Sequence, residues 1–259
     1  MPFRIIKITL DPASDYTSNL IASIKKRLNG ISFNKSNSAG VEREQDQIAI
    51  NSFAGYIAEQ ICFDILSKYN KYQESIQFSQ DDSKSSKDQI DITVFKTWKD
   101  KSGKTISKKE TIEVRSSFPI KPIEEAISSN FDVIGPYINT VKIKEIEKDY
   151  YLRVLFQVNP NKTELSRENR DKNTSELMRS FFDDDMNLIK LLNVFLVGGA
   201  TKEMMQDESI SYIGSMKSYS YNKNNTAKFQ KIKFRNSMDS IAILHRILSV
   251  ITDEKIKAK

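Results

Sequence analysis

Cysteine and histidine are almost absent from this chain of 259 residues, which has one of each, Cys62 and His245. A lone cysteine excludes an internal disulfide, and the pair is too few for a metal centre built on several Cys or His ligands. Cys62 lies in an apolar run and reads as core, so a nucleophile–base pair of Cys62 and His245 is not expected. Glycine and proline are scarce, at 8 and 6 residues, which excludes a collagen-like or loop-dominated chain. No stretch reaches the roughly 18 apolar residues of a membrane-spanning helix. The first sixteen residues turn polar too early for a signal peptide. The expectation is a cytoplasmic protein without membrane contact.

Charge and aromatics are plentiful. Forty Lys and Arg against 34 Asp and Glu leave a net charge of +6, a balance that favours a polyanionic partner such as nucleic acid. Aromatics make up 10% of the chain, enough for a substantial core. There is no internal repeat and no evident linker, so one domain over residues 1–259 is expected.

The periodicity predicts a strand over residues 5–10 and a helix over 16–28, whose Lys25, Lys26 and Arg27 read as a solvated face. A long helix over 48–69 carries apolar residues nearly all round and so is buried on more than one side. Inside it lies Glu59, an ionised carboxylate that is costly there unless paired or metal-bound. Polar loops are expected over 34–40, 79–88 and 159–175. Strands over 90–98 and 111–118 flank a turn at 99–104, and a short helix follows at 123–129. A strand pair is expected over 141–146 and 150–158, a partly helical stretch over 177–200 with a buried strand over 191–197, and a turn at Gly198-Gly199. A final helix spans 237–255. Asp183, Asp184 and Asp185 read as a helix start or turn.

The chemistry concentrates in the hairpin. A turn centred on residue 102 sets Asp91 opposite Glu113. Alternation buries Ile90, Ile92, Ile112 and Val114 on one side and turns Asp91, Glu113 and Arg115 to the other. Opposed side chains in a hairpin stand about 5 Å apart, and two carboxylates at that separation repel unless a cation lies between them. Hard oxygen donors suit Mg²⁺, which lowers the pKa of bound water and stabilises charge at phosphorus. The residues alone leave a second reading open, a solvated hairpin with charges on its outer face.

With Glu59 in AGYIAEQICFDIL, Asp91 in QIDITVF, and Glu113 and Arg115 in TIEVRSS, the chain resembles the restriction-endonuclease-like nucleases of the PD-(D/E)xK superfamily. The likeness covers about residues 48–120. It implies an α/β fold with a central mixed β-sheet flanked by helices, Mg²⁺ as cofactor, and cleavage of double-stranded DNA. It also implies catalytic roles for Glu59, Asp91, Glu113 and Arg115, with Glu59, Asp91 and Glu113 on the metal, and for many members a homodimer. On that footing the catalytic core occupies about 48–130, and 131–259 supplies DNA recognition and dimer contacts. Arg115 stands where the family has lysine. Arginine stays protonated and cannot act as a general base, though it can clamp a phosphate. Lys87 and Lys121 are alternative lysines that nothing in the sequence singles out. Ser116 and Ser117 are further candidates for a phosphate bond.

Residues 217–235, KSYSYNKNNTAKFQKIKFR, interleave basic and aromatic side chains. Lys217, Tyr219, Tyr221, Lys223, Lys228, Lys231, Lys233 and Arg235 are therefore the candidate nucleic-acid contacts. A strand pair with Phe229, Ile232 and Phe234 in the core is the alternative. The function expected is a restriction-type endonuclease. The alternatives are a non-catalytic DNA- or partner-binding protein on the same fold and an anti-phage nuclease without sequence specificity.

Overall fold

The structure is a computed structural model. It describes residues 3–28, 45–80, 90–119, 122–129, 131–138, 145–158, 181–182, 186–216 and 227–250. The loops expected at 34–40 and 159–175, most of the one at 79–88, residues 141–144, the Asp183–Asp185 turn and residues 251–255 of the expected last helix lie outside them.

The fold is α/β, as expected, with a mixed sheet flanked by helices. Seven strands form the main sheet, β1 (Ile6–Leu10), β2 (Ile76–Gln80), β3 (Ile92–Lys99), β4 (Thr105–Ser117), β6 (Tyr150–Val158), β7 (Leu192–Thr201) and β10 (Met238–Asp239). Their order is β1-β7-β6-β4-β3-β2, with β10 also on β7. Only the β4–β6 pair is parallel among the described ladders. A second sheet of β5 (Asp132–Tyr137), β9 (Ala227–Lys233) and β8 (Ser211–Met216) lies apart from it.

One face of the main sheet carries α1 (Asp15–Leu28), α2 (Gln45–Tyr69) and α5 (Ser240–Leu248). Helix α1 starts where the Ser14 hydroxyl accepts the Thr17 N–H, an N-terminal cap. Its apolar stripe of Leu20, Ile21 and Ile24 is buried. Helix α2 is sandwiched between α1 and the sheet, which explains why Phe53, Ala54, Ile57, Ala58, Ile61, Cys62, Ile65 and Leu66 are all buried around its circumference. Asp239 caps α5 by accepting the Ala242 N–H at 2.8 Å. His245 is exposed on α5 and Cys62 is buried in α2, so the two do not pair.

The other face packs on the second sheet, α3 (Ile123–Ser129) and α4 (Lys202–Gln206) through a smaller core that includes Val133, Tyr151, Leu155, Met205, Ile232 and Phe234. This layer follows from the parallel β4–β6 pair. Parallel neighbours need a crossover, and here it runs through α3 and β5.

Several expectations need correcting. The last helix, expected over 237–255, spans Ser240–Leu248 and ends at Ser249, whose backbone is extended. The strand expected over 141–146 is not seen at Glu145 and Ile146, and β6 pairs instead with β4 and β7. Residues 186–191 form no helix. Gly198-Gly199 is not a turn but the interior of β7, where the β6 register shifts between Arg153 and Val154. The glycines are needed because backbones converge there. A Cβ on Gly198 would run into the Met238 carbonyl, and one on Gly199 would lie 2.5 Å from the Tyr151 carbonyl oxygen.

Candidate active site

The hairpin turn fixes the register. Asp100 Oδ1 accepts the Ser102 N–H, the Ser102 hydroxyl and the Lys104 N–H at 2.8, 2.6 and 3.0 Å. Gly103 takes the left-handed conformation at φ +82° that glycine tolerates. The ladder then runs from Lys99↔Thr105 to Ile92↔Ile112, the predicted register, with Asp91 the next residue.

Asp91 does not continue the ladder. It sits in a bend ahead of β3, and its Oδ2 accepts the Val114 N–H at 2.6 Å. This hydrogen bond ties Asp91 to the β4 segment that bears Glu113 and Arg115. Glu113 and Arg115 alternate with Ile112 and Val114, which go into the helix-side core. Arg115 Nη2 lies 3.2 Å from Glu113 Oε1 and 2.8 Å from Glu145 Oε1. Glu145, in the segment leading to β6, also accepts the Tyr137 N–H at 2.7 Å, anchoring it to the second sheet.

Both acids are 7% exposed, and their ionisation is strongly opposed. Burial, reinforced by the charge of Glu59, pushes Asp91 up to about 8, against the pull of the Val114 N–H, Arg115 and Lys148. Burial also pushes Glu113 up to about 8; Arg115 and Lys148 oppose it, and Asp91 and Glu145 add to it. Burial works against the Arg115 charge, but Glu113, Glu145 and Asp91 outweigh it and hold the guanidinium above its ordinary value.

Glu59 approaches Asp91 from the α2 layer. It is buried and pairs with Arg27 Nη2 at 3.0 Å, and the Arg27 guanidinium stacks over the Tyr56 ring at 4.1 Å. Arg27 is therefore not part of a solvated face. Among the described residues no three His, Cys, Asp or Glu side chains gather into a metal-binding group, and Glu59 is engaged by Arg27. The chemistry of Asp91 and Glu113 suits a hard cation. Glu113 Oε2 is buried without a hydrogen-bond partner, and two carboxylates with an open oxygen suit Mg²⁺, which keeps several waters and phosphate oxygens in its shell.

Lys148 was missed in the sequence because Glu147-Lys148-Asp149 reads as an ordinary charged turn. It is 3% exposed, and its charge lowers the pKa of both Asp91 and Glu113. Its N–H donates to the Tyr151 hydroxyl at 2.9 Å, and Tyr151 is the ladder partner of Glu113 across the parallel pair. Lys87 and Lys121 lie outside the described residues.

The candidate nucleic-acid contacts divide. Lys217, Tyr219, Tyr221 and Lys223 lie outside the described residues. Lys228 and Arg235 are exposed and Lys233 half-buried. Lys231 is buried, with Nζ 3.9 Å from Asp132, so it does not belong to a solvent-facing row. Phe229 packs on Tyr137, and Ile232 and Phe234 enter the smaller core, as the strand-pair alternative expects. Lys233 and Arg235 line an open depression of about 540 Å³ together with Tyr212 and Asn236.

No family model matches the chain, and no solved structure matches it. An uncharacterized protein of Methanocaldococcus jannaschii is 25% identical over 225 residues, covering 79% of this chain and 74% of its own length. No helix among the described residues is long and apolar enough to cross a membrane.

Proposed function

We propose that the protein is a Mg²⁺-dependent endonuclease of the restriction type, acting on double-stranded DNA in the cytoplasm. The observation that carries this reading is the junction at Val114, where Asp91 is tied to the strand bearing Glu113 and Arg115 in a buried, charged cluster. Mg²⁺, when bound, supplies charge neutralisation at phosphorus.

The side chains do the rest. Asp91 and Glu113, both buried, would hold that ion, whose charge offsets their mutual repulsion. Arg115 clamps the phosphate and stabilises its developing charge. Lys148 supplies the ammonium that the resemblance places two residues after the glutamate, from the segment just ahead of the neighbouring strand β6. Lys228, Lys233 and Arg235 track the DNA backbone, and the homodimer implied by the resemblance would double that surface. A second reading, a DNA- or partner-binding protein without catalysis, is favoured by the double engagement of Arg115 with Glu113 and Glu145.

Incubation with plasmid and Mg²⁺, against an Asp91→Ala control, separates the possibilities. Discrete fragments that vanish in the control support the proposal. Binding without cleavage supports the second reading, and degradation to small fragments supports a nuclease without sequence specificity.

A further inference from the structure

Among the described residues, Arg153 on β6 is an unusual charge. It is 1% exposed, in the midst of the apolar run YYLRVLF. Its guanidinium donates to the Arg115 carbonyl at 3.1 Å and to Ser117 Oγ at 2.7 Å, and lies 5.5 Å from the Phe131 ring centroid. These acceptors are neutral. Asp132 is the nearby carboxylate, but its Oδ2 already takes the Tyr212 hydroxyl at 2.6 Å and faces Lys231. Burial, with Arg115 adding to it against the pull of Asp132, pushes Arg153 down to about 9. A buried cation with no ion pair among the described residues is expensive, and an apolar residue of similar size would be tolerated at lower cost.

Arg153 is also the ladder partner of Arg115. Two guanidinium groups therefore stand side by side on adjacent parallel strands, and the Nε of each is buried without a hydrogen-bond partner. Like charges in that position repel. Arg115 is 27% exposed, and Ser116 and Ser117 are half-buried, so the end of β4 remains open to a ligand from outside. Because Ser117 Oγ accepts from Arg153, its own proton is left to donate.

We propose that Arg115 and Ser117 form a binding site for a phosphate oxyanion at the end of β4, with Arg153 as the buried positioning residue that fixes the serine hydroxyl and places a second positive charge behind the anion. Arg153 does not touch the ligand. It acts through Ser117 and through its field, which is little screened in a buried setting. The site rests on the nuclease reading only for the source of the phosphate, a nucleic-acid backbone. Free inorganic phosphate carries the same chemistry.

The test is binding in EDTA, where no cleavage occurs, with a duplex oligonucleotide and inorganic phosphate as separate probes. Arg153→Met should fold with a melting temperature equal to or above that of the wild type and lose at least about tenfold in affinity, and Arg153→Lys should restore part of the loss. If Arg153→Met does not fold, Ser117→Ala decides, with the same loss expected. Loss for both probes marks a general phosphate site; loss for the duplex alone marks a backbone site. Unchanged affinity for both probes in the folded variants overturns the proposal. A failed nuclease reading shows as absent cleavage in the wild type with this site intact.

Discussion

The Lys148 N–H donates to the Tyr151 hydroxyl at 2.9 Å. Through that bond the residue that stands beside Glu113 on the parallel strand holds the backbone of a buried lysine near both site acids. Replacing Lys148 with Met should lower the rate of plasmid cleavage by about 100-fold or more, while the melting temperature stays near that of the wild type because a buried charge is exchanged for an apolar chain. Tyr151→Phe should cost much less, about tenfold or below, since it frees the tether without removing the ammonium. Initial cleavage rates in Mg²⁺ check both values.

Metal-free stability should fall as pH rises from about 5 to 8. Asp91 and Glu113 are raised from ordinary carboxylate values to about 8. Between those limits the unfolded chain has released protons that the folded chain still holds, so the slope of stability against pH is negative. Above about 8 the penalty is fully present. Added Mg²⁺ should oppose it and should bind more tightly as pH rises toward 8, because it competes with those protons. Asp91→Asn should flatten the slope. Thermal melts from pH 5 to 9 with EDTA or Mg²⁺ measure both effects.

The Arg27–Glu59 pair is a local support for the site. Arg27→Leu leaves Glu59 buried without this partner and should destabilise the fold by roughly 3 kcal/mol. Arg27→Leu with Glu59→Leu should recover most of that loss. Urea denaturation of the two variants gives the comparison, and equal losses in both would show that the pair contributes little.

Gly199→Ala should destabilise by on the order of 1–3 kcal/mol, because its Cβ would press on the Tyr151 carbonyl and on Ile243 and Leu152. The β6 backbone at Tyr151 carries the tether to Lys148, so activity should fall further than stability alone explains. Denaturation midpoints beside cleavage rates separate the two effects.

What the sequence could reveal followed how local each interaction is. The hairpin register was legible because Asp100, Ser102 and Gly103 form a turn from their own side chains and backbone. Helices α1 and α2 were legible from periodicity. Strands β2 and β5 were not, since IQFSQ is short and DVIGPY contains Gly-Pro. The parallel pairing of β4 with β6 depends on a crossover and has no local signature. Without that pairing nothing in the sequence singles out Arg153, and Lys148 reads as part of a turn. Glu59 was legible as a costly buried acid, but its partner Arg27 lies 32 residues away. Gly198-Gly199 gave a turn signal, whereas the glycines serve close packing of β7 against β6 and β10.

Single-turnover digestion of plasmid in Mg²⁺ decides whether Asp91 and Glu113 together make the cutting site. Asp91→Asn and Glu113→Gln should each remove cleavage, by at least about 100-fold, while retaining the wild-type affinity for DNA measured in EDTA. Cleavage at the wild-type rate in either variant would contradict it.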